Sequence, residues 1–350
     1  MHGLILENLS NVFISGTGTA FPQPGKWVTN EMIHELVFGK NWQQVMVNQK
    51  LHPDYYENEL GFKERYWVHT PGSKITHDEL TSADLMIAAA ENAIADSGIK
   101  KETIDFVIAV TVSSPKYSSS LGTFISGKLG IQAPAIEIKA GCSSNVFSIT
   151  LAAQLLQSGA RNVLIAGGET NTKLMQLNPR MAYAGGDAGA AIMLSKTSDS
   201  SKGILTSYLN SDGNFSTQMG VPGLLPPNQK DLDEENYFLE YSDTAEFFLD
   251  KVWSETPDIL YKATNLKASD IDCFVPHQVH KKRTLFAAYA AGIPMEKTIN
   301  IIGNFANCGS VTLLIALDTA KKQEQFKDNN TVLIVAAGGG ISWGGIILKT

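Results

Sequence analysis

The sequence has little of several features that define common protein classes. Only three cysteines occur in 350 residues, an odd number spread along the chain, unlike the even framework of a small disulfide-bonded domain. This favours a reducing, cytoplasmic setting. Basic residues are outnumbered, with 28 Lys and Arg against 35 Asp and Glu and a net charge of -7. Because no overall positive field is present, we do not expect a nucleic-acid partner.

Long apolar segments are missing as well. No run of about 18 apolar residues is free of charge, so no membrane-spanning helix is expected. The first residues, MHGLILENLSNVFISG, lack a basic region leading into an apolar run and a small-residue cleavage site, so no signal peptide is expected. With 43% hydrophobic and 18% charged residues, the composition is that of an ordinary globular protein.

Apolar runs rich in β-branched residues alternate with stretches of helical periodicity, which predicts an α/β fold with buried sheets. The clearest predicted elements, in chain order, are a helix from Ser82 to Ser97 ended by Gly98, a strand from Asp105 to Val110, a strand from Ala135 to Ala140, a helix from about Val146 to Gln157, and a strand from Asn162 to Ala166.

The second half of the chain repeats the order of the first. Ile104-Asp105 before one apolar strand is matched by Ile271-Asp272 before another, at an offset of 167 positions. Residues 162–167 are matched by residues 331–336 at an offset of 169. Chance matching of short apolar strings is the alternative, but the order and near-equal spacing favour two copies of one unit. A chain of this length also suits two units better than one compact domain.

We divide the chain into residues 1–195 and residues 196–350. The first unit holds an aromatic and amide-rich insertion at about 38–66, interpreted as a helical lid or a partner-facing segment. The second unit begins with a glycine- and proline-rich region at about 196–246, interpreted as strand and loop material that covers a cleft. Loops of this length in a compact protein are usually functional.

Cys142 follows Ala140-Gly141 and lies between a predicted buried strand and a predicted long helix. The unpaired amides of a helix N-terminus carry partial positive charge, which lowers the pKa of a nearby thiol and favours the thiolate. A thiolate in this position can attack a thioester carbonyl. Because cysteine is among the most buried residue types, an inert core residue is the alternative interpretation.

His277 follows the apolar residues Cys273 to Val275, at the C-terminal end of a predicted strand. Catalytic and ligand-binding groups of α/β proteins gather at this end of the strands, although a lone histidine is more often structural. Asn307 lies in a turn rich in Gly and Asn before a helix predicted from Leu313 to Ala320. Taken alone, Asn307 fits a capping or turn residue.

Two glycine-rich segments have features of binding loops. Gly338-Gly339-Gly340 lies between two strand-like segments, where glycine permits close backbone approach and leaves amide donors for an oxyanion; a plain turn is the alternative. Gly16-Thr17-Gly18 has a weak likeness to a dinucleotide loop, but Phe21-Pro22 follows where a helix should begin.

Together these residues resemble the ketoacyl-acyl-carrier-protein synthase III family of thiolase-like condensing enzymes, over nearly the whole chain. The matching motifs are Gly16-Thr17-Gly18 with Pro22, Gly61-Phe62-Lys63-Glu64-Arg65, Ala140-Gly141-Cys142, Val275-Pro276-His277-Gln278, Ala306-Asn307-Cys308-Gly309-Ser310, and Gly338-Gly339-Gly340 with Trp343-Gly344. The resemblance implies a five-layered α-β-α-β-α fold of two duplicated α/β units, in agreement with the internal repeat. It also implies a homodimer.

The resemblance assigns roles to the candidate residues. Cys142 is implied as the nucleophile that takes the acyl group of an acyl thioester, and the backbone amides of Cys142 and Gly339 are implied as the oxyanion hole. His277 and Asn307 are implied to stabilise the enolate that forms when a malonyl thioester loses carbon dioxide. The implied substrates are thioesters of acyl carrier protein or coenzyme A, with no separate cofactor and no metal.

Three further residues are implied in substrate binding. Lys282 falls where the family has a basic residue near the substrate entrance. It belongs to a basic cluster at 280–283 that could dock an acidic carrier protein or a pantetheine phosphate. The alternative is that this cluster is only a solvated helix face. Phe305, two residues before Asn307, is implied in substrate binding together with the motif that contains Asn307. Ser118 stands where an aromatic residue of the partner subunit usually limits the primer pocket, so a longer or bulkier acyl chain would fit.

The sequence departs from the family pattern in two further places. Tyr55 and Glu59 stand where members that use coenzyme A primers often carry Trp and Arg, so the usual contact with an adenine-side phosphate is not expected. Residues 184–189 read Ala-Gly-Gly-Asp-Ala-Gly, with glycine and aspartate exchanged relative to the family.

Three other functions remain open on the sequence. An acyltransferase on the same fold would pass the acyl group to a hydroxyl, an amine or a non-malonyl carbon, but the presence of both His277 and Asn307 favours condensation. A biosynthetic thiolase would need a second cysteine in the C-terminal glycine segment, which this chain lacks. A non-catalytic subunit of a heterodimer would usually have lost Cys142.

Overall fold

A computed structural model describes residues 3–22, 27–116 and 118–350. The strands are β1 (Leu4–Ser10), β2 (Val12–Ala20), β3 (Trp27–Thr29), β4 (Glu64–Tyr66), β5 (Phe106–Val110), β6 (Ala135–Ile138), β7 (Asn162–Thr170), β8 (Asp187–Lys196), β9 (Gly203–Ser211), β10 (Met219–Gly220), β11 (Glu240–Tyr241), β12 (Cys273–Pro276), β13 (Thr331–Gly338) and β14 (Ser342–Lys349). The helices are α1 (Asn30–Phe38), α2 (Trp42–Asn48), α3 (Tyr55–Asn58), α4 (Ser82–Ser97), α5 (Leu121–Leu129), α6 (Ser144–Gln157), α7 (Pro179–Ala182), α8 (Gln229–Asp233), α9 (Asp243–Thr264), α10 (Lys281–Ala291), α11 (Ile302–Phe305) and α12 (Thr312–Lys322).

Two five-stranded sheets form the frame of the molecule, in the orders β2-β8-β7-β5-β6 and β1-β9-β14-β13-β12. In the first sheet β5 and β7 are parallel and β8 is antiparallel to β7; in the second, β12, β13 and β14 repeat this arrangement. Helices α4 and α5 cover one sheet, α9 and α10 cover the other, and α6 and α12 lie between them. These five layers confirm the fold predicted from the sequence.

Equivalent aspartates tie the parallel strands of each unit together. The backbone N–H of Asp105 donates to the carbonyl oxygen of Asn162, and that of Asp272 donates to the carbonyl oxygen of Thr331, both at 2.9 Å. Their carboxylates accept the N–H groups of the same two residues, at 3.4 Å for Asn162 and 2.8 Å for Thr331. This shared hydrogen-bond pattern confirms that the internal repeat is structural.

The outer helices of the two units also end at equivalent positions. Helix α4 begins with a capping box between Thr81 and Asp84 and ends at Gly98, whose φ is 64°. Helix α9 is followed by Asn265, 167 positions later, with a φ of 57°. Both residues adopt the left-handed conformation that ends a helix. The predicted bounds of α4 are those of the structure.

Strand β1 comes before the predicted division at residue 195 in the sequence, but it pairs with the second unit. Strand β1 pairs antiparallel with β9, from Leu4 opposite Leu209 to Ser10 opposite Gly203. The N-terminal strand therefore belongs to the sheet of the second unit. This pairing joins segments that are distant in the sequence, and no local pattern signals it.

Several predicted bounds differ by a few residues from the observed ones. Strand β7 was expected to end at Ala166 but continues to Thr170, because β8 pairs with it along its whole length. Helix α6 begins at Ser144 rather than near Val146, and α12 extends the predicted helix at both ends. Strand β6 ends at Ile138, before the turn that carries the cysteine.

The glycines near the N-terminus permit close helix packing. A Cβ atom added to Gly16 would lie 2.4 Å from the carbonyl oxygen of Ala93, and one added to Gly18 would lie 2.4 Å from the Ala93 nitrogen. Both glycines belong to β2, on which α4 packs directly. The segment is therefore a strand against a helix, as its poor match to a dinucleotide loop indicated.

The insertion at about 38–66 contains the short helices α2 and α3 and strand β4, joined by turns, and it shares a small core with residues of both units. Arg65 is fully buried there and donates to the carbonyl oxygens of Val28 (3.3 Å) and Tyr183 (3.1 Å) and to Asn30 Oδ1 (2.9 Å). The Gly61–Arg65 motif thus holds the insertion to the main body. None of the described helices is long and apolar enough to cross a membrane.

Candidate active site

Cys142 lies in a tight turn between β6 and the central helix α6. Gly141 has a φ of 57°, a conformation that glycine adopts without strain. The Ser143 hydroxyl donates to the carbonyl oxygen of Ala140 at 2.6 Å, and the Ala140 N–H donates to Ser144 Oγ at 2.9 Å. These local hydrogen bonds fix the turn and hold Cys142 just before the first residue of the helix.

The glycine turn after β13 packs directly on the cysteine turn. A Cβ atom added to Gly338 would lie 2.3 Å from the Cys142 nitrogen, and one added to Gly141 would lie 2.5 Å from the Gly339 nitrogen. Only glycines permit this approach, since real Cβ contacts are not that short. The structure therefore brings together the two backbone amides, of Cys142 and Gly339, that the sequence analysis assigned to an oxyanion hole.

The Cys142 thiol is protonated at neutral pH in the free protein. Burial raises its pKa to about 12, the Glu169 carboxylate adds to this effect, and the backbone N–H of Cys142 opposes it. The expectation of a lowered thiol pKa is therefore wrong. Loss of hydration can shift the pKa of a buried group by several units, whereas the helix N-terminus changes that pKa by less. Acyl transfer at Cys142 must accordingly be coupled to loss of the thiol proton.

His277 follows the last residue of β12, and its backbone N–H donates to the Val335 carbonyl oxygen at 2.8 Å. The residue is 3% exposed, and burial lowers the pKa of its imidazole to about 4. The ring is therefore neutral at physiological pH. Its Nδ1 has no hydrogen-bond partner in the part of the chain that the structure describes, so the tautomer with hydrogen on Nε2 is allowed.

The Asn307 side chain has a defined orientation. Its Oδ1 accepts the Gly309 N–H at 3.0 Å and the Thr312 hydroxyl at 3.1 Å, which leaves the Nδ2 donor for another group. Its backbone is fixed by hydrogen bonds with Ala184 and Gly186. The preceding buried residue, Ala306, has a φ of 55° and a ψ of -156°, a conformation that is strained for a residue with a Cβ. Such strain is common at functional sites.

The turns and loops that carry the three candidate residues meet at one end of the central layer. Val335, which accepts from His277, is three residues before Gly338, which packs on the Cys142 turn. Asn145, in the first turn of α6, donates from Nδ2 to the carbonyl oxygen of Ser310, in the loop that carries Asn307. The duplicated units thus contribute the thiol from one side and the imidazole and carboxamide from the other.

The sequence analysis did not identify Glu169, a buried carboxylate near the end of β7. Its charge acts on Cys142, Cys308 and Tyr241. Six donors surround its two oxygens: the N–H groups of Val112, Ser113 and Ser310 and the hydroxyls of Thr111, Ser113 and Ser310. A charged residue at the end of an apolar run was the available signal, since a buried carboxylate needs such partners.

The β10–β11 hairpin covers the glycine turn. A Cβ atom on Gly339 would lie 2.8 Å from the Met219 carbonyl oxygen, and Met219 pairs with Tyr241. Burial raises the pKa of the Tyr241 phenol, and the charges of Cys142 and Glu169 add to this effect. Part of the 196–246 region therefore covers the candidate site.

All four residues of the basic cluster at 280–283 have partners within the chain. His280 accepts the Arg283 N–H and caps α10, Lys281 donates to the Asn58 carbonyl oxygen at 2.9 Å, and Arg283 pairs with Asp250. Lys282 lies 2.9 Å from the Glu59 carboxylate, with both side chains about half exposed. Glu59 thus neutralises the lysine that was expected at the substrate entrance.

Phe305 and Ser118 lie in different surroundings. The Phe305 ring stacks on Phe21, with 4.9 Å between centroids, and Phe21 in turn stacks on Tyr66. Phe305 therefore contributes to an aromatic row next to the Asn307 loop. Ser118 is exposed in the loop between β5 and α5, and no hydrogen bond of the described residues connects it to Cys142. An exposed position is compatible with its assignment to a partner subunit's pocket, which stays a prediction.

Comparisons with known proteins agree with this site. Residues 136–213 match the family model described as 3-oxoacyl-[acyl-carrier-protein] synthase III, and residues 261–350 match the model of its C-terminal part. A beta-ketoacyl-[acyl-carrier-protein] synthase III of Clostridium perfringens is 30% identical over 304 residues, which cover 85% of this chain and 90% of the relative. One from Staphylococcus aureus is 27% identical and matches 83% of this chain and 87% of the relative.

Solved structures show the same fold. A 3-oxoacyl-[acyl-carrier-protein] synthase III of Aquifex aeolicus superimposes with a TM-score of 0.81 at 21% identity and covers 97% of this chain and 100% of its own. Cerulenin-bound OleA of Xanthomonas campestris gives a TM-score of 0.78 at 18% identity, with 97% of each chain covered. On its sequence similarity along most of its length, the chain belongs to the beta-ketoacyl-[acyl-carrier-protein] synthase III family of condensing acyltransferases.

Proposed function

We propose that Cys142 accepts an acyl group from an acyl thioester and that this group is then joined to the two-carbon unit of a decarboxylating malonyl thioester. The observation that carries the proposal is the contact between the Cys142 turn and the Gly338–Gly339 turn. This contact brings the backbone nitrogens of Cys142 and Gly339 into neighbouring turns, which supports their proposed role as oxyanion donors; the loops of His277 and Asn307 lie at the same end of the central layer. This is the donor arrangement that acyl transfer requires.

In the first half-reaction the Cys142 sulfur attacks the carbonyl carbon of the acyl thioester. The tetrahedral oxyanion receives hydrogen bonds from the Cys142 and Gly339 amides. The carbon-sulfur bond to the carrier then breaks, the acyl group stays on Cys142, and the released carrier thiolate takes up the proton lost by the cysteine. Since the resting thiol is protonated, attack on the thioester is coupled to loss of the thiol proton.

In the second half-reaction the malonyl thioester loses carbon dioxide, and its electrons form an enolate. His277 Nε2–H and Asn307 Nδ2–H donate to the enolate oxygen. The neutral state of His277 and the fixed Oδ1 of Asn307 leave both donors in place. The enolate carbon attacks the acyl-cysteine carbonyl, and the Cys142 thiolate is expelled. Loss of one such donor typically costs about 3 to 4 kcal/mol of transition-state stabilisation.

The test is carbon dioxide release from malonyl-carrier protein by the acylated enzyme. We expect His277→Ala and Asn307→Ala to load the acyl group normally and to release carbon dioxide at least about a hundredfold more slowly. His52→Ala and Asn304→Ala are matched controls, because both side chains are exposed and lie in other contacts. If the wild-type acyl-enzyme releases no carbon dioxide with any malonyl thioester, the condensation proposal is wrong.

The proposed substrates are two thioesters, carried by acyl carrier protein or coenzyme A, and the proposed setting is the cytoplasm. Thioester activation and decarboxylation supply the driving force, so no separate cofactor or metal enters the proposal. Lys282, Phe305 and Ser118 are proposed to line the path of the substrate. A carrier protein would have to displace Glu59 from Lys282 before it could use the lysine.

We also propose that two copies associate through the edge of the first sheet. Strand β6 is the last strand of that sheet in the part of the chain described. Ile136 on β6 and Phe124 on the neighbouring helix α5 are large apolar side chains that are 41% and 42% exposed. An apolar strand edge favours pairing with another strand. Light scattering should give a dimer for the wild type and a monomer for Ile136→Lys; a monomeric wild type would refute this proposal.

A further inference from the structure

Glu169 joins the two halves of the candidate site. Its Oε1 accepts the Val112 N–H at 2.9 Å and the Ser310 N–H at 3.3 Å, and it also accepts the Ser310 hydroxyl. Its Oε2 accepts the Ser113 N–H at 3.1 Å, the Ser113 hydroxyl at 2.6 Å and the Thr111 hydroxyl at 3.3 Å. Oε1 thus joins the loop of Asn307 to Val112 after β5, and the donors to Oε2 come from Thr111 and Ser113, which also follow β5.

This set of partners is suited to an ionised carboxylate. Three of the six donors are backbone N–H groups, which can only donate, and they reach both oxygens; an ionised carboxylate, which only accepts, matches them. Burial raises the pKa of Glu169, and hydrogen bonds from Ser113 and Ser310 counteract that effect. Because several hydrogen bonds to the charged form favour that form, the geometry supports a buried negative charge.

The anchored loop is also connected to the nucleophile and to Asn307. Asn145, three residues after Cys142, donates to the Ser310 carbonyl oxygen. Asn307 is three residues before Ser310, and its Oδ1 is held by Gly309 and Thr312 on either side. A change at Glu169 therefore reaches both the carboxamide and the helix that carries the cysteine turn.

We propose that Glu169 is a positioning residue: it holds the loop of Asn307 and Ser310 against the end of β5, and its charge, linked to the helix of the Cys142 turn through Ser310 and Asn145, opposes ionisation of the thiol. The first part rests on the proposed condensation, and the second concerns the thiol alone. The charge restrains formation of the free thiolate until substrate is bound. The two parts predict opposite effects of removing the carboxylate: alkylation of Cys142 becomes faster, and condensation becomes slower.

The experiment compares Glu169→Gln with wild type in two assays. Iodoacetamide alkylation of Cys142 as a function of pH, followed by intact mass, should show a lower midpoint and several-fold faster modification at pH 8, because the thiolate fraction changes about tenfold for each pKa unit. Condensation should be at least about tenfold slower. A merely structural role would slow condensation without moving the alkylation midpoint, and an unchanged midpoint overturns the charge part.

Two serine variants separate the anchor from the charge. Ser310→Ala removes a hydrogen bond on the side of the Asn307 loop, and Ser113→Ala removes one on the side of β5. We expect slower condensation in both, with little change in the alkylation midpoint. Wild-type condensation in Ser310→Ala overturns the anchor part. These variants also keep the anchor testable if Glu169→Gln does not fold.

Asp318→Asn is the matched control for the charge. Asp318 is another buried carboxylate, which accepts the Thr17 hydroxyl and pairs with Lys322, and among the described residues its charge does not act on Cys142 or Glu169. Its substitution should leave the alkylation midpoint unchanged; an equal shift in both variants overturns the specific role of Glu169. Alkylation needs no substrate, so its midpoint can be measured whether or not the protein catalyses condensation. If the condensation proposal is wrong, carbon dioxide release will be absent while the alkylation midpoints of the variants still differ.

Discussion

The Thr312 hydroxyl donates to Asn307 Oδ1 at 3.1 Å and so determines which end of the carboxamide is left for a substrate. Thr312→Val removes this hydrogen bond at similar volume. A hydrogen bond of this kind contributes about 1 kcal/mol, so we expect condensation to slow roughly five- to tenfold while acyl loading is unchanged. Single-turnover assays of loading and of condensation measure the two steps separately.

Thr319→Val is the matched control on the same helix. The Thr319 hydroxyl donates to the Ile315 carbonyl oxygen at 2.8 Å and contacts no candidate site residue by hydrogen bond. Its substitution should leave condensation within about twofold of wild type. Equal losses in the two variants would mean that Thr312 acts through helix stability rather than through Asn307.

Gly141 allows the two turns of the oxyanion site to meet. Gly141→Ala would place a Cβ atom 2.5 Å from the Gly339 nitrogen, at a φ of 57°. We expect acyl loading to fall at least about a hundredfold, because the turns must separate and both amides then miss the oxyanion. Gly127→Ala is the control: its Cβ would contact nothing within 4 Å in helix α5, and it should stabilise the protein by up to about 1 kcal/mol. Wild-type loading in Gly141→Ala would contradict this account of the turn.

Burial of His277 makes stability depend on pH. Its pKa is about 4 in the folded protein and 6.5 when unperturbed, so between these values the unfolded chain binds the proton and the folded chain does not. The associated stability is complete above pH 6.5 and is lost as the pH falls toward 4. From pH 7 to pH 5 the free energy of unfolding should fall by about 2 kcal/mol more in wild type than in His277→Gln. Urea unfolding at the two pH values measures this, and parallel losses would refute a depressed pKa.

The ion pair between Glu59 and Lys282 predicts an effect on substrate affinity. Glu59→Gln would release the lysine, so we expect the KM for a coenzyme A or carrier-protein thioester to fall several-fold at low salt and the effect to diminish at high salt. Glu102→Gln removes one acidic charge from an exposed residue elsewhere and serves as the control. No change in KM in Glu59→Gln, or the same change in both variants, would exclude Lys282 from substrate binding.

Local signals in the sequence were sufficient to predict much of the fold. The bounds of α4 follow from the capping residues Thr81 and Asp84 and from Gly98, all within one turn of the helix ends. The repeat was visible because Asp105 and Asp272 have the same hydrogen-bonding task in each unit. Cys142, His277 and Asn307 could be located because each follows a strand or precedes a helix.

Features that depend on distant segments could not be predicted. Strand β1 joins the sheet of the other unit, and the hydrogen-bond partners that hold Glu169, among them Ser113 and Ser310, come from segments far apart in the sequence. The predicted direction of the shift in the Cys142 pKa was wrong for the same reason. The helix N-terminus is a local feature, whereas the burial that outweighs it comes from the whole fold.

The identity of the nucleophile is tested most directly by intact-mass measurement after incubation with a panel of acyl thioesters of increasing chain length. The wild type should gain the mass of one acyl group, and Cys142→Ala should gain none, whereas Cys273→Ala and Cys308→Ala should be acylated like wild type. A panel with no adduct on the wild type, or an adduct that persists in Cys142→Ala, would contradict the assignment of Cys142 as the residue that carries the acyl chain.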